Sequence, residues 1–158
     1  MTSDFMTDAP AFVHPPAVLT EAEKSIQAIL SSPGIHVVHF WAPWCGNSVD
    51  ELPRWRALLG EDRPEATVAF VTVWNNGHSG REMMDDNGIP SDVVEITQTD
   101  RGPSSIKELR RKEFLGLPMT WIPSTWIFRG DTLAYAINYG EASEAMLRTL
   151  IADTERGW

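Results

Sequence analysis

The sequence predicts an α/β fold, a central mixed β-sheet flanked by helices. Three observations carry this. Short apolar runs rich in β-branched and aromatic residues alternate with helical segments from residue 20 to 114. Two strand-like runs, 126–128 and 133–137, flank Arg129-Gly130-Asp131, a hairpin signal. A last helical segment, 141–155, follows them. Alternation implies parallel strands, and the hairpin adds an antiparallel end. The 158 residues suffice for one domain with its own core. At 42% hydrophobic and 22% charged, the composition is that of an ordinary globule.

The elements follow in order. Residues 1–16 read as a flexible tail, with His14-Pro15-Pro16 as an extended lead-in, and 17–158 as the domain. Thr20 precedes EAEKSIQAILSS with Glu23 three residues on, a capping box that opens a helix. Pro33-Gly34 ends it. Residues 35–41 form a short apolar run suited to a buried strand. Residues 45–59 show helical spacing, with Val49, Leu52, Trp55, Leu58 and Leu59 on roughly one face. Residues 67–74 (TVAFVTVW) make a second buried strand. A short helix over 80–87 ends at Gly88, and 92–97 is a weaker strand. Residues 104–114 read as a helix stopped by Gly116 and Pro118.

Charge narrows the function classes. The 13 Lys+Arg stand against 22 Asp+Glu, a net charge of −9, which opposes a phosphate backbone. The one basic cluster, Arg110-Arg111-Lys112, is bracketed by Glu108 and Glu113 and reads as a solvated helix face. No nucleic-acid partner is expected. No run approaches the roughly 18 apolar residues of a membrane span. The first residues carry two Asp and no Lys or Arg, unlike a secretory signal, so a cytoplasmic location is expected. His14, His36, His39 and His78 lack ligand spacing, and one cysteine supplies one thiolate, so no metal or other cofactor is expected. His36 and His39 are an odd number apart and share no strand face. No Gly-rich phosphate loop follows a strand.

One cysteine cannot close an intramolecular disulfide. Its surroundings give it another meaning. In HFWAPWCGNS a buried strand runs into a tight turn, and Cys45 stands where the next helix begins. Unpaired backbone N–H groups and the positive end of the helix dipole favour a thiolate there. A thiolate is a nucleophile and a disulfide-exchange group.

FWAPWCG, with Pro53 eight residues after the cysteine and Ile122-Pro123-Ser124-Thr125 downstream, resembles the thioredoxin superfamily. WCGNSVDELP and WIPSTWIFRGD are most similar to the WCxxCxxExP and GIPTTFLID segments of TlpA/ResA-like thiol–disulfide oxidoreductases. The resemblance covers about residues 20–155. It implies a thioredoxin-like fold with an added strand–helix insertion, which suits the 78 positions between Cys45 and Pro123. It also implies that the Ile122–Pro123 bond is cis and that Ile122 presents a backbone edge to an extended substrate. Trp44, Gly46, Asn47, Trp121, Ile122 and Pro123 would form the substrate-binding surface.

The sequence departs from the family where the second cysteine of CxxC is Ser48. Serine forms no disulfide, so a complete thioredoxin cycle within one subunit is excluded. Two readings stay open. In the first, Cys45 alone forms mixed disulfides with a protein or small-molecule thiol or disulfide, resolved by an external thiol such as glutathione as co-substrate. In the second, the fold is a redox-inactive interaction module. The chain is expected to be a monomer, with a covalent dimer through Cys45 as a further possibility.

The supporting residues each carry two readings. His39 stands six residues before Cys45, where the family has a buried carboxylate that accepts protons. It is a proton handler whose protonated ring would favour the thiolate, or a hydrogen-bonded core histidine. Ser48 shares the helical face of Cys45 and supports the thiolate, caps the helix start, or both. Trp126 reads as core, whereas Trp121, in the place of the family's glycine, is core or groove. CGNS is similar to the CGFS of monothiol glutaredoxins, but FWAPW and the spacing to Pro123 fit them poorly. A peroxiredoxin needs Thr or Ser where this chain has Ala42.

Overall fold

The computed structural model describes residues 18–99, 106–138 and 142–157. The tail expected over 1–16 lies outside the described residues. The first helix, α1 (Glu21–Leu30), opens as its sequence dictates. Thr20 Oγ accepts the N–H of Glu23, and the Glu23 carboxylate accepts that of Thr20. Then come β1 (Ile35–Trp41), α2 (Gly46–Leu58), β2 (Thr67–Thr72), α3 (Arg81–Asp86) and β3 (Val94–Thr97). A single 3-10 turn (Lys107–Leu109) leads to β4 (Glu113–Phe114) and β5 (Leu117–Pro118). β6 (Ser124–Arg129), β7 (Thr132–Asn138) and α4 (Glu144–Arg156) complete the chain.

Five strands form one mixed sheet in the order β3-β2-β1-β6-β7. β1 is central, parallel to β2 and antiparallel to β6, and all seven of its residues are buried. A strand covered on both faces needs a continuous apolar run, and IHVVHFW supplies it apart from two histidines. Alternate residues feed two cores. Val38 and Phe40 pack with Ile26 of α1, Trp126, Phe114 and Met119. Val37 and Trp41 pack on the other face with Leu52 and Trp55 of α2, Met84 of α3, and Leu147 and Ile151 of α4. Gly80 is required where α3 meets the sheet, because a Cβ there would lie 2.3 Å from the Trp41 ring.

One expected element is absent. Residues 106–114 do not form the predicted helix (104 and 105 lie outside the described residues). Glu113 and Phe114 instead pair antiparallel with Pro118 and Leu117. Between them Leu115 and Gly116 have φ of 52° and 79°, the two positive values that a tight hairpin turn of the I′ kind demands. Gly116 is thus a turn residue, not a helix stop. Tertiary contacts hold this arrangement. Phe114 is buried against Phe40, ring centroids 5.0 Å apart, and the buried Glu23 carboxylate accepts the Leu115 N–H. The basic cluster is therefore no solvated helix face. Arg110 lies over the rings of Trp44 and Trp74, at 5.1 and 4.9 Å from their centroids, and Arg111 lies over Phe114 and 3.9 Å from Glu23.

Candidate functional site

The site forms where the turn after β1 meets the loop before β6. Cys45 is the N-cap residue of α2, with extended backbone and no side-chain cap bond. Its own N–H donates to the Ala42 carbonyl at 3.1 Å, which closes the turn that β1 enters. Pro53 within α2 withholds an N–H from the carbonyl of Val49, four residues back, so the helix ladder lacks one bond there.

The Ile122–Pro123 peptide bond is cis. Cys45 Sγ lies 4.0 Å from the Ile122 carbonyl oxygen in donor geometry. Ser124 closes the loop, its hydroxyl donating to the Trp121 carbonyl. The sulfur is half-buried, while Gly46 and Asn47 are exposed. Cys45 and Ile122 are therefore side by side, with Pro123 next in the chain.

The two tryptophans beside this contact face outward. Trp44 is 42% exposed and Trp121 57%, whereas Trp126 is buried at 1%. Trp121 thus borders the loop rather than filling the core. Trp44 is held in place: its indole N–H donates to the Trp74 carbonyl at 2.7 Å, and the Trp74 indole donates in turn to the Arg111 carbonyl at 2.7 Å. Arg110 stacks on both rings. Trp74 itself has φ of 55°, a left-handed conformation that a bulky residue holds only when its surroundings impose it.

Ser48 is fully buried, and its Oγ accepts the Ala42 N–H at 3.3 Å. The hydroxyl therefore supports the backbone of the active turn. It does not cap the first turn of α2.

His39 corrects one expectation. The ring is fully buried, and burial pushes its pKa down from 6.5 to about 3. At neutral pH it is uncharged, so it is not the protonated imidazole that would favour a thiolate. It packs against Trp55 and Phe70, at 4.6 and 4.9 Å, on the α2 side of the sheet. Cys45 packs against the α1-side core instead. The polar partner of His39 is Thr125, with Nδ1 2.9 Å from Oγ1.

Sequence reasoning overlooked Thr125, Trp74 and Arg110. Thr125 had a usable signal, because two strands meeting in antiparallel register place it opposite His39. Trp74 and Arg110 had none, since only the path of the 106–112 loop brings them to Trp44. Among the described residues no group of three or more His, Cys, Asp or Glu could hold a metal ion. None of the described helices is long and apolar enough to cross a membrane.

The fold recurs in solved proteins. A thiol:disulfide interchange protein of the thioredoxin family from Chlorobium tepidum TLS superposes with a TM-score of 0.59 at 18% identity, over 81% of this chain and 83% of that one. A thiol-disulfide isomerase from Corynebacterium glutamicum gives 0.56 at 15% identity, over 82% and 85%. A secreted Mycobacterium tuberculosis disulfide oxidoreductase homologous to E. coli DsbE gives 0.53 at 15%, over 77% and 83%. The fold is thioredoxin-like, a central mixed sheet flanked by helices. No family model matches the chain, and no curated relative does.

Proposed function

We propose that this chain is a thiol oxidoreductase of the TlpA/ResA-like kind that works with one cysteine in a CxxS site. The observation that carries it is the position of Cys45: a half-buried thiol at the N-cap of α2, beside the carbonyl that precedes a cis-proline. The Cys45 thiolate attacks one sulfur of a partner disulfide R–S–S–R′. A Cys45–S–S–R bond forms, and R′S⁻ leaves with the electron pair and takes a proton. The thiolate of an external thiol such as glutathione then attacks the R sulfur, so that a G–S–S–R bond forms and Cys45 leaves as its thiolate, and a second glutathione releases R as its thiol with oxidised glutathione as product. Ile122 offers the backbone edge on which an extended partner pairs. His39, a weak base once buried and on the opposite face of the sheet, is not placed to take a proton from this thiol.

The test is a glutathione-coupled disulfide reduction assay on the wild type and Cys45→Ser. Turnover in the wild type that vanishes on substitution supports the proposal. Equal, negligible rates overturn it in favour of a redox-inactive interaction module. One observation favours that second reading: Ser48 stands where a resolving cysteine would, sealed and bonded to the Ala42 N–H. Exposed Trp44 and Trp121 would then be the contact surface. A covalent dimer through Cys45 would show directly on a non-reducing gel.

A further inference from the structure

We propose that His39 is a positioning residue, a cross-brace to Thr125 that holds the Ile122 carbonyl beside the Cys45 sulfur. This rests on Cys45 being the reacting thiol, and it assigns His39 a task other than moving protons.

The argument starts from strand geometry. The Sγ···O contact joins two chain ends: the turn that follows β1 and the loop that precedes β6. These strands are antiparallel neighbours, and His39 and Thr125 are register partners two positions in from the start of the β1–β6 ladder at the site. Backbone bonds hold the whole ladder. Here a side-chain bond of 2.9 Å also joins the two strands. Only Pro123 and Ser124 separate Thr125 from Ile122, and the intervening turn is closed by the Ser124 hydroxyl on the Trp121 carbonyl. A shift at Thr125 therefore has little slack in which to dissipate before it reaches Ile122.

Both members are sealed, with His39 at 0% and Thr125 at 2% exposure. A buried hydrogen bond between two such groups is mutually required, because losing either partner leaves the other desolvated and unpaired. His39 has no second polar anchor. Its Nε2 is buried with no hydrogen-bond partner among the described residues, and its flanks are the rings of Trp55 and Phe70. The tautomer with its proton on Nδ1 fits best, since it donates to Thr125 and leaves only a lone pair at Nε2. The imidazole also faces the core opposite to the one Cys45 packs on. Its influence on the sulfur has to pass through the strand pair.

The experiment uses the full chain and four single variants. Thr125→Val removes the hydroxyl at nearly constant shape, and Thr125→Ser keeps it. His39→Leu removes the ring nitrogen, and His39→Asn keeps a polar atom at the Nδ1 position. Two rates are read. One is alkylation of Cys45 by iodoacetamide. The other is release of a chromophoric thiolate from a cysteine peptide that carries it as a mixed disulfide. In that step the peptide–chromophore S–S bond breaks, a Cys45–peptide S–S bond forms, and the chromophore leaves with the electron pair. Urea unfolding of each variant confirms that the native state is being sampled.

With the Ile122 carbonyl released, the sulfur is less covered and the peptide loses its aligned edge. Thr125→Val and His39→Leu are therefore expected to raise the iodoacetamide rate and lower the peptide rate, each by about threefold or more, with the double variant no further changed than the more affected single. Thr125→Ser and His39→Asn are expected to stay near the wild type. Val and Leu variants that lose stability yet keep both rates overturn the brace, as does Thr125→Ser behaving like Thr125→Val. A wild type that releases no chromophore defeats the reading of Cys45 as a disulfide-exchange thiol, while the iodoacetamide rates still decide the brace.

Discussion

His39 and Cys45 are six residues apart on one strand and turn, and they occupy opposite environments. The imidazole is sealed between Trp55, Phe70 and Thr125. The thiol sits half-buried at the end of α2 with exposed Gly46 and Asn47 beside it. Of the two, only the thiol is open to solvent. Burial holds His39 in its neutral form far below its ordinary range. Proton-handling capacity thus follows from what covers a side chain, and a family position does not confer it. The contrast also separates two tasks: a reactive atom needs access, whereas a brace needs to be dry.

The largest effect should come from removing the accessible member. Cys45→Ser is expected to abolish mixed-disulfide formation completely, with an unfolding midpoint within about 0.5 kcal/mol of the wild type, since the side chain is half-exposed and makes no cap bond. Intact-mass analysis after incubation with oxidised glutathione reads the first, and urea titration the second.

Opening the sealed member is next. Trp55→Ala deletes a fully buried ring from the face of His39 and should cost about 3–5 kcal/mol in urea unfolding. Water admitted to the cavity should move the His39 titration upward from about 3 toward 6.5, which NMR of the ring protons would follow. An unmoved titration would mean that something other than desolvation sets it.

The same burial predicts an acid sensitivity. The folded-state pKa of His39 lies below its unfolded value of 6.5, so the unfolded chain binds more protons in the window between them. The contribution is complete above pH 6.5 and is lost as pH falls toward 3, by up to about 1.4 kcal/mol per pH unit. Carboxylates add slopes of their own. The difference between wild type and His39→Leu therefore isolates the histidine, and a constant difference from pH 7 to 4 would contradict its burial.

Two smaller changes test the frame around the pair. Gly80→Ala would drive a Cβ into the buried Trp41 ring and close to Thr72 Oγ1, and should cost about 1–3 kcal/mol. Thr20→Ala removes one half of the α1 capping box and should cost about 1 kcal/mol, without effect on Cys45 reactivity.

Local signals made much of the fold legible. The Thr20–Glu23 capping box, the apolar run of β1, the helical spacing after Cys45 and the 129–131 hairpin signal each rest on neighbours within a few residues, and each corresponds to an element of the structure. Residues 106–114 were misread for the opposite reason. Their helical look is weak, and what decides their path is distant: Phe40 for Phe114, Glu23 for Leu115, Trp44 and Trp74 for Arg110. Of the candidate site, local succession placed Cys45, since strand, turn and helix follow one another in the chain, whereas Ile122 and Pro123 were expected beside it only from the resemblance. The partner of His39 and the clasp on Trp44 could not be read that way.

The sequence by itself determined the alternation of strands and helices, the place of the single thiol at a helix start, and the serine, Ser48, three residues after it. These depend on residue type and short spacing, which a linear string records. Tertiary structure alone decided that His39 is dry and neutral, that Trp121 faces solvent, and that an arginine is clasped by two tryptophans beside the site. Burial and long-range contact are properties of how segments close over one another, and desolvation acts only once they have closed.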